Sequence, residues 1–552
     1  MLKTRLIIPL IFGLLAASAS LCAKDIKPNS SDGRKFEEAK SYYQQGDYKQ
    51  ARAKFLKLYR EYSRDPNLNY HLGMTFAALD GISNRAQAVK YLKKAVKQEK
   101  DSANWFYDLG LVLNKSDMKY PAYEKFREVL EKDSTYLEAY FQIIDYCVAR
   151  FFHNHNTDKL AEAYQTALAG ESHFKYNSTM SYKKALVSML YSSNENALRT
   201  LHQIIEPDSL QIEINLLDAY LYYKKRDFLK SHAQFLKAFE FMPDDLRVGY
   251  NDITLLLSPQ GKRDYDEMSG VSRRQFSDSL WKALDPDLTT VLNEKKVEHY
   301  ARVYFVELMF AQPNSSKHGW ENDQGALYIR YGPPQRARWM LPDDNDPKLH
   351  TRWEWTYVFD GKPVTLTFLN LFGGDNYHLA PMDYGYSDFK AYELTGEVPN
   401  QETFAQDALP IESYFSHFVH KGEQGQSLLD LFVATAYNQF EYKKESGHAV
   451  CDVQYRVGLY DTTGAIVKLD SSDQHLIISP TLMLNPDFYH FSKISLTAPP
   501  QKFEAAFAIE QKSAYRLNIY RMPIDVYDFA DSGFHLSSLI LGAKIEEPDI
   551  TG

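Results

Sequence analysis

The sequence predicts a multidomain α+β protein. An N-terminal α-solenoid is expected over residues 34–260, a central α+β module with an antiparallel meander over 270–375, and a C-terminal β-sandwich over 428–548. Three observations predict this. Small and aromatic residues recur with a period near 34 in the first half. A stretch after residue 290 repeats apolar positions at helical spacing and then runs into alternating aromatic segments. From about residue 428 the texture changes to short, alternating runs separated by turn formers. At 552 residues the chain exceeds what one core organises, and 44% apolar with 24% charged residues is a globular composition.

The chain opens on "MLKTRLIIPLIFGLLAASASLCAKD". Lys3 and Arg5 precede an apolar run, Leu6 to Ala17, that is too short to span a bilayer. This predicts a secretory signal peptide over residues 1–23, cleaved after Ala23 or Ala19, and hence an exported, periplasmic or cell-envelope protein. Cys22 offers the alternative of a lipid anchor, with the bulky Leu21 before it where a small residue is usual. No later segment predicts a transmembrane span. Removing Lys3 and Arg5 takes the formal charge from −9 to −11, which argues against general nucleic-acid affinity. Cys147 and Cys451 then remain, far apart, and are expected as two buried thiols.

The clearest repeat is "NLLDAYLYYKKRDFLKSHAQFLKAFEFMPDD". Ala219, Tyr222, Ser231, Phe235, Ala238 and Pro243 form a ladder of small and aromatic residues ending in proline. Small residues let two antiparallel helices approach, aromatics fill the gaps, and proline ends the second helix. Earlier copies place Ala39, Tyr42, Ala51 and Phe55, then Gly73, Phe76, Ala88, Leu92 and Ala95, then Gly110, Leu113, Ala122 and Phe126 at matching offsets. Residues 136–205 keep a helical pattern with a degenerate ladder. The segment closely resembles the tetratricopeptide repeat (TPR), which implies a curved groove that takes a protein or peptide partner. Tyr42, Tyr43 and Tyr222 suggest a binding surface, but such positions mostly belong to the ladder and so to the core.

After a linker-like stretch, "DYDEMSGVSRRQFSDSLWKALDPD", the residues Val297, Tyr300, Ala301, Tyr304, Leu308 and Met309 mark one face of a long helix. "HGWENDQGALYIRYGPP" follows, from His318 to Pro334. "ALYIRY" alternates and is expected as a strand, stopped by Gly332, Pro333 and Pro334. "RWEWTYVF" and "PVTLTFLN" are two further strands, joined across Asp360-Gly361, with Trp353, Trp355, Tyr357 and Phe359 on one side. Together these landmarks resemble the GWxTD domain, a family of exported bacterial proteins that often follows tetratricopeptide repeats and has no established activity. Gly319, Trp320 and Asp323 fit its motif, Asn322 stands where the family has Thr, and Tyr328, Tyr331, Gly332, Pro333 and Pro334 match its later positions. We read the motif as structural: Asn322 and Asp323 close a turn, Trp320 anchors it, and Gly319 and Gly325 allow close packing. The alternative is an envelope hydrolase in which His318 and Asp323 form an acid–base pair, although no nucleophile motif accompanies them.

Other candidate chemistry is weaker. His153 and His155, His417 and His420 (on one face if their segment is helical), and Asp343, Asp344 and Asp346 all lack the companion ligands that metal sites need. No phosphate loop or dinucleotide fingerprint is present, so the sequence points to no catalytic residue, metal or cofactor. Residues 376–427 read as a connecting segment with one helical patch. The eight short runs beyond it, among them "VCDVQYRVGLYD" closed by Asp461-Thr462-Thr463-Gly464, suggest an immunoglobulin-like sandwich. The expected function is therefore a non-catalytic scaffold with two contact surfaces. Carbohydrate binding on exposed sandwich aromatics is a further option.

Overall fold

The computed structural model describes residues 25–204, 210–311, 317–342, 351–359, 361–371, 377–380, 408–422 and 426–529. The signal-peptide stretch with Cys22, the acidic residues Asp343, Asp344 and Asp346, Asp360, most of the connecting segment and the last predicted strand lie outside them. The chain divides into two units, Met1–Glu206 and Pro207–Gly552.

The first unit is built from antiparallel helix pairs: α1 (Ser31–Gln44) with α2 (Tyr48–Tyr59), α3 (Pro66–Ala78) with α4 (Ile82–Gln98), α5 (Ala103–Lys115) with α6 (Lys119–Lys132), α7 (Leu137–Asn154) with α8 (Thr157–His173), and α9 (Ser178–Tyr191) with α10 (Asn194–Leu201). The ladder residues explain the pairing. A Cβ on Gly73 would lie 2.7 Å from Leu92 Cγ, and one on Gly110 would lie 2.5 Å from the Phe126 ring. Only a bare Cα lets α3 meet α4, and α5 meet α6, at this distance. Ala39, Ala51, Phe55, Ala88, Ala122 and Phe126 are all buried in these seams. Each pair also packs on the next, so the degenerate residues 136–205 continue the same stack. The first helices of successive pairs touch one another more closely than the second helices do, so the first helices share one face.

The second unit begins with one more hairpin, α11 (Gln211–Lys224) and α12 (Phe228–Phe241). Ala219, Phe235 and Ala238 are buried between its helices, Tyr222 is half-buried, and Pro243 follows α12 as the N-cap of α13 (Asp244–Asn251). The predicted array ran to residue 260, yet this hairpin belongs with the long helix α16 (Glu294–Phe310). Its aromatics are the reason. Tyr220 stacks on Phe305 at 5.4 Å, and Phe235 and Phe239 meet Tyr300 edge-on at 5.5 and 5.1 Å. The linker-like stretch is helical as α14 (Pro259–Glu267) and α15 (Gly270–Ala283), and α15 buries no residue, which is why its composition imitates a linker.

The stretch "ALYIRY" is a helix and not the expected strand. It ends α17 (Asp323–Tyr331). Asn322 caps α17 by accepting from the Gln324 amide at 2.8 Å, Asp323 sits in its first turn, and Gly332, at φ +78°, ends it. The helix is buried on most sides, so its apolar and polar residues alternate without a solvent face, and in six residues that imitates a strand. Gly332-Pro333-Pro334 thus stops a helix. The meander supplies its first strand from a later segment: β1 (Arg336–Met340), β2 (Arg352–Phe359), β3 (Lys362–Leu369) and β4 (His378–Leu379) form one antiparallel sheet in that order. Gly361, at φ +75°, turns β2 into β3, and Trp353, Trp355, Tyr357 and Phe359 enter a core with Leu327 and Tyr331 of α17.

Two further antiparallel sheets follow. One has the order β10 (Tyr489–Thr497), β6 (Ser427–Ala436), β5 (Ser413–Lys421). The other has the order β12 (Arg516–Asp525), β11 (Lys502–Gln511), β8 (His448–Tyr460), β7 (Lys443–Glu445), with β9 (Ile466–Ile478) also on β8. Both sheets feed a single core: Leu431 and Val433 from the first meet Val453, Tyr455, Phe507 and Ile509 from the second. The segment predicted to connect the domains therefore contributes strand β5. There His417 and His420 sit three apart on a strand, on opposite faces, and His420 Nε2 lies 3.0 Å from Asp430. Two of the eight predicted short runs, "AIVKLDS" and "HLIISPT", fall in one long β9. The Asp461 turn is as expected, with Gly464 at φ +70° and the Asp461 carboxylate accepting from the amides of Thr463 and Ala465.

The joint between α15 and α16 fastens to the second of these sheets. Arg456 of β8 donates to Asp287 at 2.6 Å and to Thr289 at 3.0 Å, and it also pairs with Glu510. A Cβ on Gly458 would lie 2.2 Å from the Leu288 carbonyl oxygen, so glycine here admits the joint's backbone. Cys147 and Cys451 are buried free thiols, one in each unit, and burial pushes the pKa of both up to about 12.

Candidate functional sites

The Gly-Trp corner is assembled on α16. The chain passes α16 so closely that a Cβ on Gly319 would sit 2.1 Å from the Val306 carbonyl oxygen. A Cβ on Gly325 would sit 2.0 Å from the Gly319 oxygen. Glu307 accepts from the Gly319 amide at 2.7 Å and faces His318 Nδ1 at 3.2 Å. The His318 ring stacks on the buried Trp320 at 4.1 Å, and Trp320 also lies against Gly249, where a Cβ would come within 2.7 Å. Asp323 accepts from the Leu379 amide of β4 at 2.9 Å and lies 3.7 Å from His378. His318 and Asp323, the two members of the hydrolase alternative, thus have separate partners on α16 and β4. Tyr328 contacts Phe305 and Trp355, Tyr331 contacts Tyr357 and Phe359, and the Tyr357 hydroxyl donates to the Gly332 carbonyl at 3.0 Å. Pro333 is exposed and Pro334 half-buried.

Beneath the corner lies a buried charge network that sequence reasoning missed. Glu298 pairs with Lys295 at 2.9 Å and with Arg302 at 2.7 Å, and all three side chains are at most 3% exposed. Arg302 also donates to the carbonyls of Ile329 and Arg330, the last turn of α17. His299 is buried against Trp281. Burial first, then the nearby cations Lys295 and Arg302, pushes it down to about 3. Glu294 is pushed up to about 9 by burial and by the charge of Asp287, and it accepts from Thr290 at 2.6 Å. Its spacing of four from Glu298 and eight from Arg302 was the available signal, but such a charge row ordinarily marks a solvated face.

Glu294 gives a pH prediction. Its folded pKa lies above the unfolded value, so its contribution is fully present below the unfolded pKa and is lost as pH rises toward 9. Glu294→Gln is expected to raise stability at pH 8 by about 2–3 kcal/mol and to flatten the pH dependence between pH 5 and 9. Denaturant titrations at several pH values check this.

A second candidate lies in the first unit, on the face shared by the first helices. Tyr70 of α3 stacks on Trp105 of α5 at 4.6 Å and donates to Asp108 at 2.5 Å. Tyr107 packs on Tyr136 at 5.0 Å. Tyr43 of α1 and Tyr136 both feel the Asp108 charge. Burial holds the Asp108 carboxyl above the usual carboxylate range, opposed by the Tyr70 hydrogen bond. Burial and the neighbouring acids Asp108 and Glu138 push Tyr136 up to about 12. All six side chains are half-buried. An anion among aromatic side chains suits a cationic group, which can gain from both. Of the tyrosines singled out in the sequence, Tyr43 belongs to this face, whereas Lys54 covers Tyr42 and Lys230 covers Tyr222.

On the strand sheets, Tyr414 of β5 and Phe491 of β10 flank Ala434 across the same row and are 70% and 74% exposed. Among the described residues no group of three His, Cys, Asp or Glu side chains that could hold a metal comes together, and no helix is long and apolar enough to cross a membrane. His155 ends α7 in the left-handed region and packs at a tilt against Phe151.

Neither a protein-family model nor a curated protein matches the chain. Solved structures similar to parts of it include a thermophilic TPR protein of Thermus thermophilus, at 21% identity, covering 33% of this chain and 94% of that one, with a TM-score of 0.27. PilF of Pseudomonas aeruginosa is 14% identical over 45% of this chain and 97% of that one, with a TM-score of 0.29. MamA from Desulfovibrio magneticus is 15% identical over 32% and 93%, with a TM-score of 0.28. The helical-repeat assignment stands on the helix pairing itself.

Proposed function

We propose that this protein is a non-catalytic scaffold of the bacterial cell envelope, which holds a protein partner on the first-helix face of its TPR-like array. The observation that carries the proposal is the half-buried Asp108, which accepts from Tyr70 beside the stacked Trp105 and whose charge reaches Tyr43, Tyr107 and Tyr136. A buried carboxylate held above its usual range regains stability when a cation covers it, so the partner segment should bring a Lys or Arg there. The leader-like first residues support an exported location. The GWxTD-like corner serves as a fastening, and the immunoglobulin-like pair of sheets, with its exposed Tyr414 and Phe491, offers the second contact. Two modest contacts in one chain reinforce each other through effective concentration.

Selection of a random-peptide display library on the intact protein tests this. Enriched peptides are expected to share a Lys or Arg. Asp108→Asn or Trp105→Ala should each weaken them about tenfold, equivalent to about 1.4 kcal/mol. Enrichment without a basic residue, or binding untouched by both substitutions, would overturn the proposal.

A further inference from the structure

In the second unit, the turn that joins α11 to α12 and the turn that joins β11 to β12 border a cavity of about 140 Å³. Lys225 and Arg226 come from the first turn, and Lys512 and Arg516 come from the second, so cations line it from two elements. Among the described residues that line it, Glu510 is the one acid, and Arg456 of β8 already pairs with its carboxylate. Phe228 and Leu517 add apolar wall.

Two details go beyond a collection of surface cations. The first is backbone conformation. Arg226, at φ +60°, and Tyr515, at φ +50°, both hold the left-handed region, which a long or aromatic side chain enters at a cost. Gly46 and Asp117 occupy the equivalent place in two earlier hairpins, at φ +80° and +59°. The hydrogen bonds of the three turns correspond: Gly46, Asp117 and Arg226 donate to the carbonyls of Tyr43, Asn114 and Tyr223. Glycine and aspartate enter this region readily, so the turn itself does not call for an arginine. What the arginine adds is a guanidinium, 5.6 Å from the centre of the Tyr515 ring in the cavity wall. Strain retained at such a residue points to a task beyond folding.

The second detail is Arg516. Its Nε is buried and makes no hydrogen bond, and its Nη2 reaches Glu441 at a long 3.4 Å. A buried charged donor without an acceptor costs stability, and an anion held beside it would supply the acceptor.

We infer that this cavity binds the phosphate group of a small phosphate monoester. The planar fork of an arginine matches phosphate oxygens, and two lysines add point charges. A phosphate monoester brings up to two negative charges to this lining where a carboxylate brings one. The volume admits such a group with a short ester arm and is below that of a drug-sized pocket, roughly 300–1,000 Å³. The site is separate from Asp108 and would add a small-molecule ligand to a protein that holds other proteins.

The probe is glycerol 3-phosphate, titrated calorimetrically into the intact protein, with acetate and glycerol alongside. Binding with Kd of about 1 mM or tighter is expected for the ester, at least about tenfold weaker binding for acetate, and weaker binding of the ester at high salt. Arg516→Gln and Arg226→Gly should each weaken the ester at least about tenfold. Because Arg226→Gly relieves the left-handed residue, its thermal midpoint should equal or exceed that of the wild type, which a merely structural arginine would not allow. If Arg516→Gln fails to fold, the exposed Lys512→Gln replaces it, with a loss of at least about threefold expected. Vesicles of phosphatidylcholine with and without phosphatidic acid distinguish a lipid headgroup from a soluble ester. Binding to the acidic vesicles alone, lost in the same variants, assigns the phosphate to a lipid. Binding of neither the ester nor those vesicles would overturn the inference, as would equal binding of acetate or full binding by the variants.

Discussion

Arg302→Ala is expected to lower the stability of the second unit by about 3–5 kcal/mol. The side chain is 3% exposed and does two jobs at once. It neutralises Glu298 at 2.7 Å, and it donates to the Ile329 and Arg330 carbonyls that close α17. Truncation leaves the 1%-exposed Glu298 carboxylate beside Lys295 without its guanidinium and removes a donor from the end of a buried helix. Because such a pair is costly to bury, replacing the whole set is gentler: Lys295→Met, Glu298→Leu and Arg302→Met together should cost less than Arg302→Ala alone. Five of the six tryptophans lie beyond residue 206, so tryptophan fluorescence in a denaturant titration follows this unit, and two transitions are to be fitted. A triple variant no more stable than the single one would show that the carbonyl contacts, which both variants lose, and not the charge balance carry the effect.

Legibility in the sequence followed the range of the interactions involved. The helix pairs were readable because Gly73, Ala88, Gly110 and Ala122 act on partners within one repeat, and their spacing records the packing directly. The strand faces of β2 and β8 were readable because one side is buried and the other is not. The helix α17 was misread because it is buried on most sides and its cap, Asn322, was assigned to a turn. The last hairpin was grouped with the array because its ladder is the best in the chain, yet Tyr220, Phe235 and Phe239 spend their outer faces on α16, far along the chain. Strand β5 was hidden in a segment read as a connection, and its partner, β6, fixes it. The Asp108 cluster draws on several helices at once, and no local pattern announces that. The same holds for Arg456, whose place in the alternating run of β8 gives no sign of the Asp287 joint that covers it.

Gly319→Ala is expected to destabilise the second unit by about 3 kcal/mol, and Gly325→Ala by a similar amount, because each added Cβ meets main chain and not a movable side chain. The obstacle for Gly319 is the Val306 carbonyl in the middle of α16, whose backbone is fixed by its own helical hydrogen bonds and by the α11 and α12 aromatics against it. For Gly325 the obstacle is the Gly319 carbonyl, so the two glycines form a single close stack of α16, corner and α17. Substitution at Asn322 separates a structural corner from a chemical one. As the cap of α17 it accepts one amide, a task that Thr also performs. Asn322→Thr, the residue at this place in the GWxTD pattern, should therefore stay within about 0.5 kcal/mol, while Asn322→Ala loses about 1 kcal/mol. Thermal and denaturant midpoints of the four variants decide the matter. If Gly319→Ala kept wild-type stability, the close approach to α16 would not be what the corner is for.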